Sequence, residues 1–262
     1  MPHSEHSTPG STTPEMADGA VYLVTGANRG LGLGFCRALL ARPLTTVIAA
    51  VRDPSKADDL DELPIAEGSR LIVVKIDCFS EADPHGAVID LEEAHNINRI
   101  DVVIANAGIE KWFGPATKIP MSELRDHFEV NAMAPLALFQ ATWPLLQKSS
   151  NPRFVPISSR LGSMTEISKV KNPAAAYGAS KAMLNYLTCR MHFENPMLTA
   201  FPMSPGFVQT DMGNAGARKV GMKKAVFTVE QSVGGMLRTI DSATRETHGA
   251  TFQSWDGTAF GW

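Results

Sequence analysis

A strand signal, Val21-Tyr22-Leu23-Val24-Thr25, runs directly into Gly26, Gly30 and Gly32 and then into a helical pattern, FCRALLAR. No other stretch restricts the fold as tightly. A buried strand that turns sharply into a helix is the opening half of a βαβ unit, and glycines at that corner make room for a phosphate. Gly26 permits the turn, Gly30 lets backbone approach a pyrophosphate, and Gly32 lets the helix press on the sheet. Free N–H groups at the helix start then face the negative charge. The cofactor contacts expected here also include Asn28, Arg29 and Leu31. The spacing Gly-x3-Gly-x-Gly differs from the commonest dinucleotide fingerprint, and glycines also serve such corners for steric reasons alone.

The βαβ continuation follows. Thr45 to Val51 (TTVIAAV) predicts a second buried parallel strand, rich in β-branched residues. It ends in Arg52. An acid near this point would hold the ribose hydroxyl of NAD, whereas arginine suits the 2′-phosphate of NADP. Arg29 in the glycine turn can reach the same phosphate from the other side, and Lys56 lies a turn beyond. Asp53 is the competing ribose acid, and arginines after strands are often only solvated. Basic residues on two sides of one expected phosphate favour NADP(H).

The chain has 262 residues with 44% hydrophobic content, enough for one large core. A net charge of −3 without a basic run leaves no nucleic-acid footprint. No apolar stretch approaches the ~20 residues that span a bilayer, so no membrane association is expected. Cys36, Cys78 and Cys189 are scattered like free thiols of a reducing compartment, and no metal-ligand spacing is present. Residues 1–18 are rich in Ser, Thr and Pro and are expected to form a disordered tail, with neither signal nor transit features. A cytoplasmic location follows from these readings. Residues 19–262 are expected to form a single domain.

Further strands are predicted at Leu71–Ile76, Asp101–Ala105, Arg153–Ile157, Met197–Met203 and Ala250–Ser254. Helices are predicted near 33–42, 83–95, 121–148, 176–193 and 228–240. Thr228 and Gln231 have the form of a capping box for the last of them. Seven strands with interleaved helices imply an α/β fold with a doubly wound parallel sheet and helices on both faces. Two strand ends carry candidate cofactor contacts: Asp77 for the adenine amine, and Asn106-Ala107-Gly108, small enough for the cofactor to lie on the backbone.

The chemistry concentrates in YGASK, Tyr177 to Lys181. Residues four apart share a helix face, so Lys181 sits one turn from Tyr177. A nearby ammonium lowers a phenol's pKa from its usual ~10 and makes it a usable acid or base. An exposed helix pair is the bland alternative. Ser158-Ser159 at the end of FVPISS brings hydroxyls that could hold a substrate carbonyl, and Asn131 places a polar group in an apolar helix. Pro156 lies awkwardly in the expected strand before those serines, because it lacks an N–H.

TGANRGLG (25–32), NAG (106–108), Asn131, ISS (157–159), YGASK and SPGFVQT (204–210), in that order, make the chain resemble the short-chain dehydrogenase/reductase family over residues 20–262. The resemblance implies a Rossmann-type fold in which Tyr177 is the catalytic acid/base. Lys181 would tune it and bind the nicotinamide ribose, Ser159 would orient the carbonyl, and Asn131 would support the lysine through a water. Pro205, Gly206, Val208 and Thr210 would line the nicotinamide end. Within the family, RDPSKA, ISSRLGS and the C-terminal WDG are similar to fungal norsolorinic acid ketoreductases. Ala105 stands where the family often has a second asparagine.

These readings predict an NADPH-dependent ketoreductase for a fairly large apolar or aromatic ketone, such as a polyketide-type secondary metabolite. A broad-specificity carbonyl reductase or alcohol dehydrogenase is the alternative, with a non-catalytic NADP-sensing protein and a nucleotide-sugar enzyme behind it. Trp112, Phe113, Ser163 and Met212 are the candidate substrate contacts. Residues 212–226, with three glycines, are expected to form a mobile lid. The resemblance implies a homodimer or homotetramer through the long helices.

Overall fold

The order of apolar residues along the first strands dictates a sheet covered on both sides. In β1 (Val21–Thr25) and β2 (Thr46–Val51), Tyr22, Val24, Val47, Ala49 and Val51 enter one core, while Val21, Leu23, Ile48 and Ala50 enter the other. A sheet buried on both faces needs helices on both, which is the parallel solution. The computed structural model describes residues 19–170 and 173–262; the expected tail, residues 1–18, lies outside them.

After β1 come α1 (Gly30–Leu40), β2, α2 (Asp58–Asp61), β3 (Arg70–Lys75), α3 (Asp83–Glu93) and β4 (Val102–Ala105). The second half holds α4 (Met121–Phe128), α5 (Ala134–Leu146), β5 (Arg153–Pro156), α6 (Ala175–Glu194), β6 (Thr199–Ala200) and β7 (Met203–Ser204). The chain closes with α7 (Asp211–Lys219), α8 (Val229–Ser242), α9 (Arg245–His248), β8 (Phe252–Ser254) and β9 (Ala259–Phe260). Six parallel strands lie in the order β3-β2-β1-β4-β5-β6. One core packs α1 and α8 against the sheet, the other α3, α5 and α6. Strand order turns back between β1 and β4, and the crevice beyond their carboxyl ends is where such sheets bind ligands. This is a single-domain, Rossmann-type α/β fold. Among the described residues no helix is long and apolar enough to cross a membrane.

Four expectations need correction. The helix expected over 121–148 is α4 and α5 joined by a π-helical turn, Glu129–Met133, which contains Asn131. The strand expected at Met197–Met203 is divided into β6 and β7, because Pro202 has no N–H to continue a ladder. β7 pairs with β8, and β8 with β9, in a separate three-stranded sheet, so the expected seven-stranded sheet has six strands. The second sheet adjoins the first through the Ser158 N–H, which donates to the Met203 carbonyl at 2.6 Å. The glycine-containing segment expected as a lid, absent from the predicted helices, starts as the helix α7. Pro156 is the last residue of β5, opposite Ala105, so its missing N–H costs little there. The capping box forms as expected, with Gln231 N–H on Thr228 Oγ1 at 3.2 Å and Thr228 N–H on Gln231 Oε1 at 2.9 Å.

Candidate active site

At the β1–α1 corner Gly26 and Gly30 have φ of +63° and +54°, conformations that side chains resist. A Cβ on Gly32 would lie 2.1 Å from the Gly26 carbonyl oxygen, so only glycine lets α1 start this close to the strand. Arg29 occupies the N-cap of α1 in extended backbone, and no side chain caps the helix. Its first N–H groups are therefore left for a ligand, and anions suit that end of a helix. Asn28 and Leu31 flank this turn in sequence. Asn106 braces the neighbouring strand ends: its amide donates to the Thr25 carbonyl at 2.9 Å, and its N–H to Thr25 Oγ1 at 3.0 Å. Ala107 N–H donates to the same hydroxyl at 3.0 Å. Thr25 is a site residue that sequence reasoning missed, although a hydroxyl ending an apolar strand was a signal. This glycine cradle with bare helix N–H groups fits a dinucleotide pyrophosphate.

At the ribose end Asp53 is occupied. Its carboxylate accepts from Ser55 N–H and Oγ at 3.2 and 2.6 Å and pairs with Lys56 at 3.0 Å. These hydrogen bonds, Ser55 first, hold its pKa below the usual carboxylate value. Arg52 follows β2 at the exposed carboxyl edge. Arg29 meets Asp211 at 3.6 Å with both side chains mostly exposed, so that pair would cost little to break. Asp77 Oδ1 accepts the Phe79 N–H at 3.1 Å and, with Cys78, Thr25 and Ala107, lines a small apolar depression beside β4.

Beyond β5 the serines divide their duties. Ser158 is buried and donates to Asn185 Oδ1 at 2.6 Å, a structural tie to α6. Ser159 Oγ accepts the Leu161 N–H at 3.2 Å, and Ser159 favours the ionised form of the Tyr177 phenol. Ser163 donates to the Gly261 carbonyl at 2.6 Å and accepts the Glu166 N–H at 3.1 Å, which fastens the pocket rim to the C-terminus. The Ser163 hydroxyl, a candidate substrate contact, also meets Thr165 Oγ1 at 3.1 Å and is fully buried. Lys171 and Asn172 lie outside the described residues.

Lys181 is 4% exposed, donates to the Ile157 carbonyl at 2.7 Å and lies 5.6 Å from the Tyr177 ring centre. Burial depresses its pKa to about 8, against a smaller upward pull from Cys78. Burial and then the Glu110 charge push the Tyr177 pKa up, with Ser159 opposing. The expected downward shift of the phenol is therefore not found. Desolvation outweighs an ammonium that is itself desolvated and aimed at a backbone carbonyl. The phenol stays protonated at neutral pH, the form that can give a proton to a carbonyl oxygen.

Asn131 is fully buried in the π-helical turn. Its Oδ1 accepts the Ile109 N–H at 2.8 Å, and its Nδ2 donates to the Ile109 carbonyl at 2.9 Å and to Ser180 Oγ at 3.0 Å. Ser180 Oγ in turn donates to the Tyr177 carbonyl at 2.7 Å. Among the described residues the Asn131 side chain thus bonds the loop after β4 and the Tyr177 turn of α6, not Lys181 itself. A Cβ on Gly108 would lie 3.1 Å from Asn131 Oδ1 and 3.6 Å from Lys181 Nζ, so this glycine lets the two groups share one space.

The remaining wall comes from the stretch after β7. Gly206, after Pro205, has φ of +77°, with Phe227 and Trp255 packed 4.6 Å apart behind it. Val208 bridges to Phe227, and Thr210 Oγ1 caps α7 through the Gly213 N–H at 3.1 Å. Lys219 at the far end of α7 lies over the Phe113 ring, 4.7 Å from its centre. The Trp112 ring folds back over Gly114, and Met212 is partly exposed on α7. A cleft of about 550 Å³ runs between α1, α7 and α8 past Gly30, Thr210 and Asp211. Glu110, beside Tyr177, is a further residue that sequence reasoning missed; one acidic residue in a loop gives no signal.

A glycine-lined nucleotide crevice beside a Ser–Tyr–Lys group defines a nicotinamide-dependent oxidoreductase acting on C=O or CH–OH groups. The chain belongs to the short chain dehydrogenase family, which it matches over residues 20–220. It is 47% identical over 235 residues to a norsolorinic acid ketoreductase of Dothistroma septosporum, covering 88% of each chain. The norsolorinic acid ketoreductase of Aspergillus parasiticus is 44% identical, over 95% of this chain and 94% of that protein. In structure the chain is similar to an NADPH-bound carbonyl reductase from chicken fatty liver, with a TM-score of 0.82 and 30% identity over 93% and 94% of the two chains.

Proposed function

We propose that the protein is an NADPH-dependent reductase of a large apolar or aromatic ketone of the polyketide type. The observation that carries this reading is the buried Lys181 ammonium 5.6 Å from the centre of the Tyr177 ring, with Ser159 acting on the same phenol. Ser159 and Tyr177 can both donate to one carbonyl oxygen, which stabilises the charge that develops on it. Tyr177 then delivers its proton to that oxygen. Gly108, Pro205, Gly206, Val208 and Thr210 would hold a nicotinamide, which would supply the hydride that the carbonyl carbon receives. Lys181 holds positive charge beside the phenol and would bind the nicotinamide ribose. Asn131 positions the loop and helix that carry these groups.

Preference for the phosphorylated cofactor rests on Arg52 and Arg29 at the ribose end, and on Asp53 being engaged by Ser55 and Lys56. The apolar substrate class rests on Trp112, Phe113 and Met212, and on the two ketoreductase relatives. The test is NADPH consumption against a panel of aromatic and aliphatic ketones, with NADH as control. Turnover of bulky aromatic ketones with NADPH supports the reading; oxidation or reduction of small aliphatic compounds alone contradicts it.

A homo-oligomer belongs to the same reading. Tyr186 and Phe193, seven residues apart on α6, are 67% and 69% exposed on one helix face. A partner copy would cover them. Light scattering at a multiple of the monomer mass is expected, and a monomer contradicts it.

A further inference from the structure

Glu110 is a carboxyl group held against the active site without a role in the mechanism above. The backbone on both sides of it is pinned: Ile109 N–H and carbonyl by Asn131 at 2.8 and 2.9 Å, and Lys111 N–H by buried His127 Nε2 at 3.2 Å. His127 is itself fixed, its Nδ1 within 2.6 Å of the Glu123 carbonyl. From this backbone the side chain reaches the Gly216 turn of α7. Its charge acts on the Tyr177 phenol, and its Oε2 lies 3.9 Å from a Cβ built on Gly216. Among the described residues Oε1 is buried and has no hydrogen-bond partner.

A buried carboxyl oxygen without a partner costs stability and is retained where a ligand satisfies it. Lys219, whose ammonium sits over Phe113, pulls the Glu110 pKa down, and burial outweighs that pull. We propose that Glu110 is a specificity-determining residue that accepts a hydrogen bond from a hydroxyl group of the substrate, beside the ketone that Tyr177 protonates. The substrate class is then a ring-hydroxylated ketone, read at two points: the carbonyl by Ser159 and Tyr177, the hydroxyl by Glu110. Burial raises the Glu110 pKa, and a carboxyl oxygen accepts from a hydroxyl in either protonation state. Met at this position keeps length and loses the acceptor, while Gln keeps one.

This inference rests on the ketoreductase reading, and its test separates the two. Ring-hydroxylated tetralones and their methyl ethers are compared in wild type, Glu110→Met and Glu110→Gln. Turnover with NADPH and equilibrium binding in the presence of NADP+ are both measured. The wild type is expected to favour the hydroxylated ketones over their ethers about tenfold to a hundredfold, since a site built around a hydroxyl rejects analogues that lack the donor. In Glu110→Met that preference collapses towards unity while NADPH affinity stays unchanged, and Glu110→Gln recovers part of it. An unchanged preference in Glu110→Met overturns the assignment, as does an equal loss for hydroxylated and methylated ketones. If nothing is turned over, the ketoreductase reading fails, and the binding preference still decides the role of Glu110.

Discussion

The Lys181 ammonium donates to the Ile157 carbonyl at 2.7 Å while lying 5.6 Å from the centre of the Tyr177 ring. One helix of α6 thus carries two buried ionisable groups whose pKa values are driven apart from their usual order of use: the phenol upward, the ammonium down to about 8. Burial is the first cause of both shifts, because low dielectric favours the neutral form of each.

The Lys181 shift predicts a pH dependence. A lysine depressed to about 8 is charged below that pH and neutral above it. Reductase kcat/KM should therefore fall as pH rises through about 8. In Lys181→Arg, whose guanidinium keeps its charge, the remaining activity should show no such limb. A flat wild-type profile across this range would show that the lysine charge is not needed.

Cofactor choice should reside in Arg52 and Arg29. Removing one charge-assisted contact costs about 1.5–3 kcal/mol. Arg52→Ala is expected to weaken NADPH binding about tenfold to a hundredfold with little change for NADH, read by fluorescence titration. Arg29→Ala should act in the same direction, and equal affinities of wild type for the two cofactors would refute both.

Asn131→Ala should damage the fold before the chemistry. It leaves the Ile109 N–H and carbonyl without their partners in a fully buried setting. Each orphaned group costs about 1–3 kcal/mol, so a clear drop in Tm is expected by calorimetry. An unchanged Tm would mean that water replaces the amide.

Much of this arrangement is legible in the sequence, and the exceptions have physical causes. The corner at Gly26–Gly32 and the buried run into Arg52 are local patterns, and tertiary structure only confirms them. The same holds for the capping of α8 by Thr228. The π-helical turn at Asn131 was hidden, because its cause is a long-range one: an amide that must reach Ile109, 22 residues away in sequence. The helix α7 was hidden by its own glycines. Gly213 and Gly216 lower helix propensity, yet both face close neighbours: a Cβ on Gly213 would lie 1.9 Å from the Val208 carbonyl oxygen, and one on Gly216 3.6 Å from the Phe207 ring. Glu110 was hidden because a polar residue in a loop reads as solvated until the fold buries it.

The helical form of α7 sharpens the expectation of a lid. With Thr210 as cap and Lys219 over Phe113, residues 211–219 should move as one body. Hydrogen exchange across 211–226 is expected to slow when NADPH and a ketone are both bound. Thr210→Ala removes the cap, at about 1 kcal/mol, and should speed exchange there. Unchanged protection on forming the ternary complex contradicts closure.

The account stands most directly on the Tyr177 hydroxyl. Single-turnover NADPH oxidation with a bulky aromatic ketone should be followed in wild type and Tyr177→Phe, beside NADPH affinity in each. Loss of the hydroxyl alone is expected to slow the chemical step by about 10²–10⁴ while cofactor affinity stays within error. A Tyr177→Phe enzyme that turns over at a near-normal rate would contradict the account, because another group would then be the proton donor.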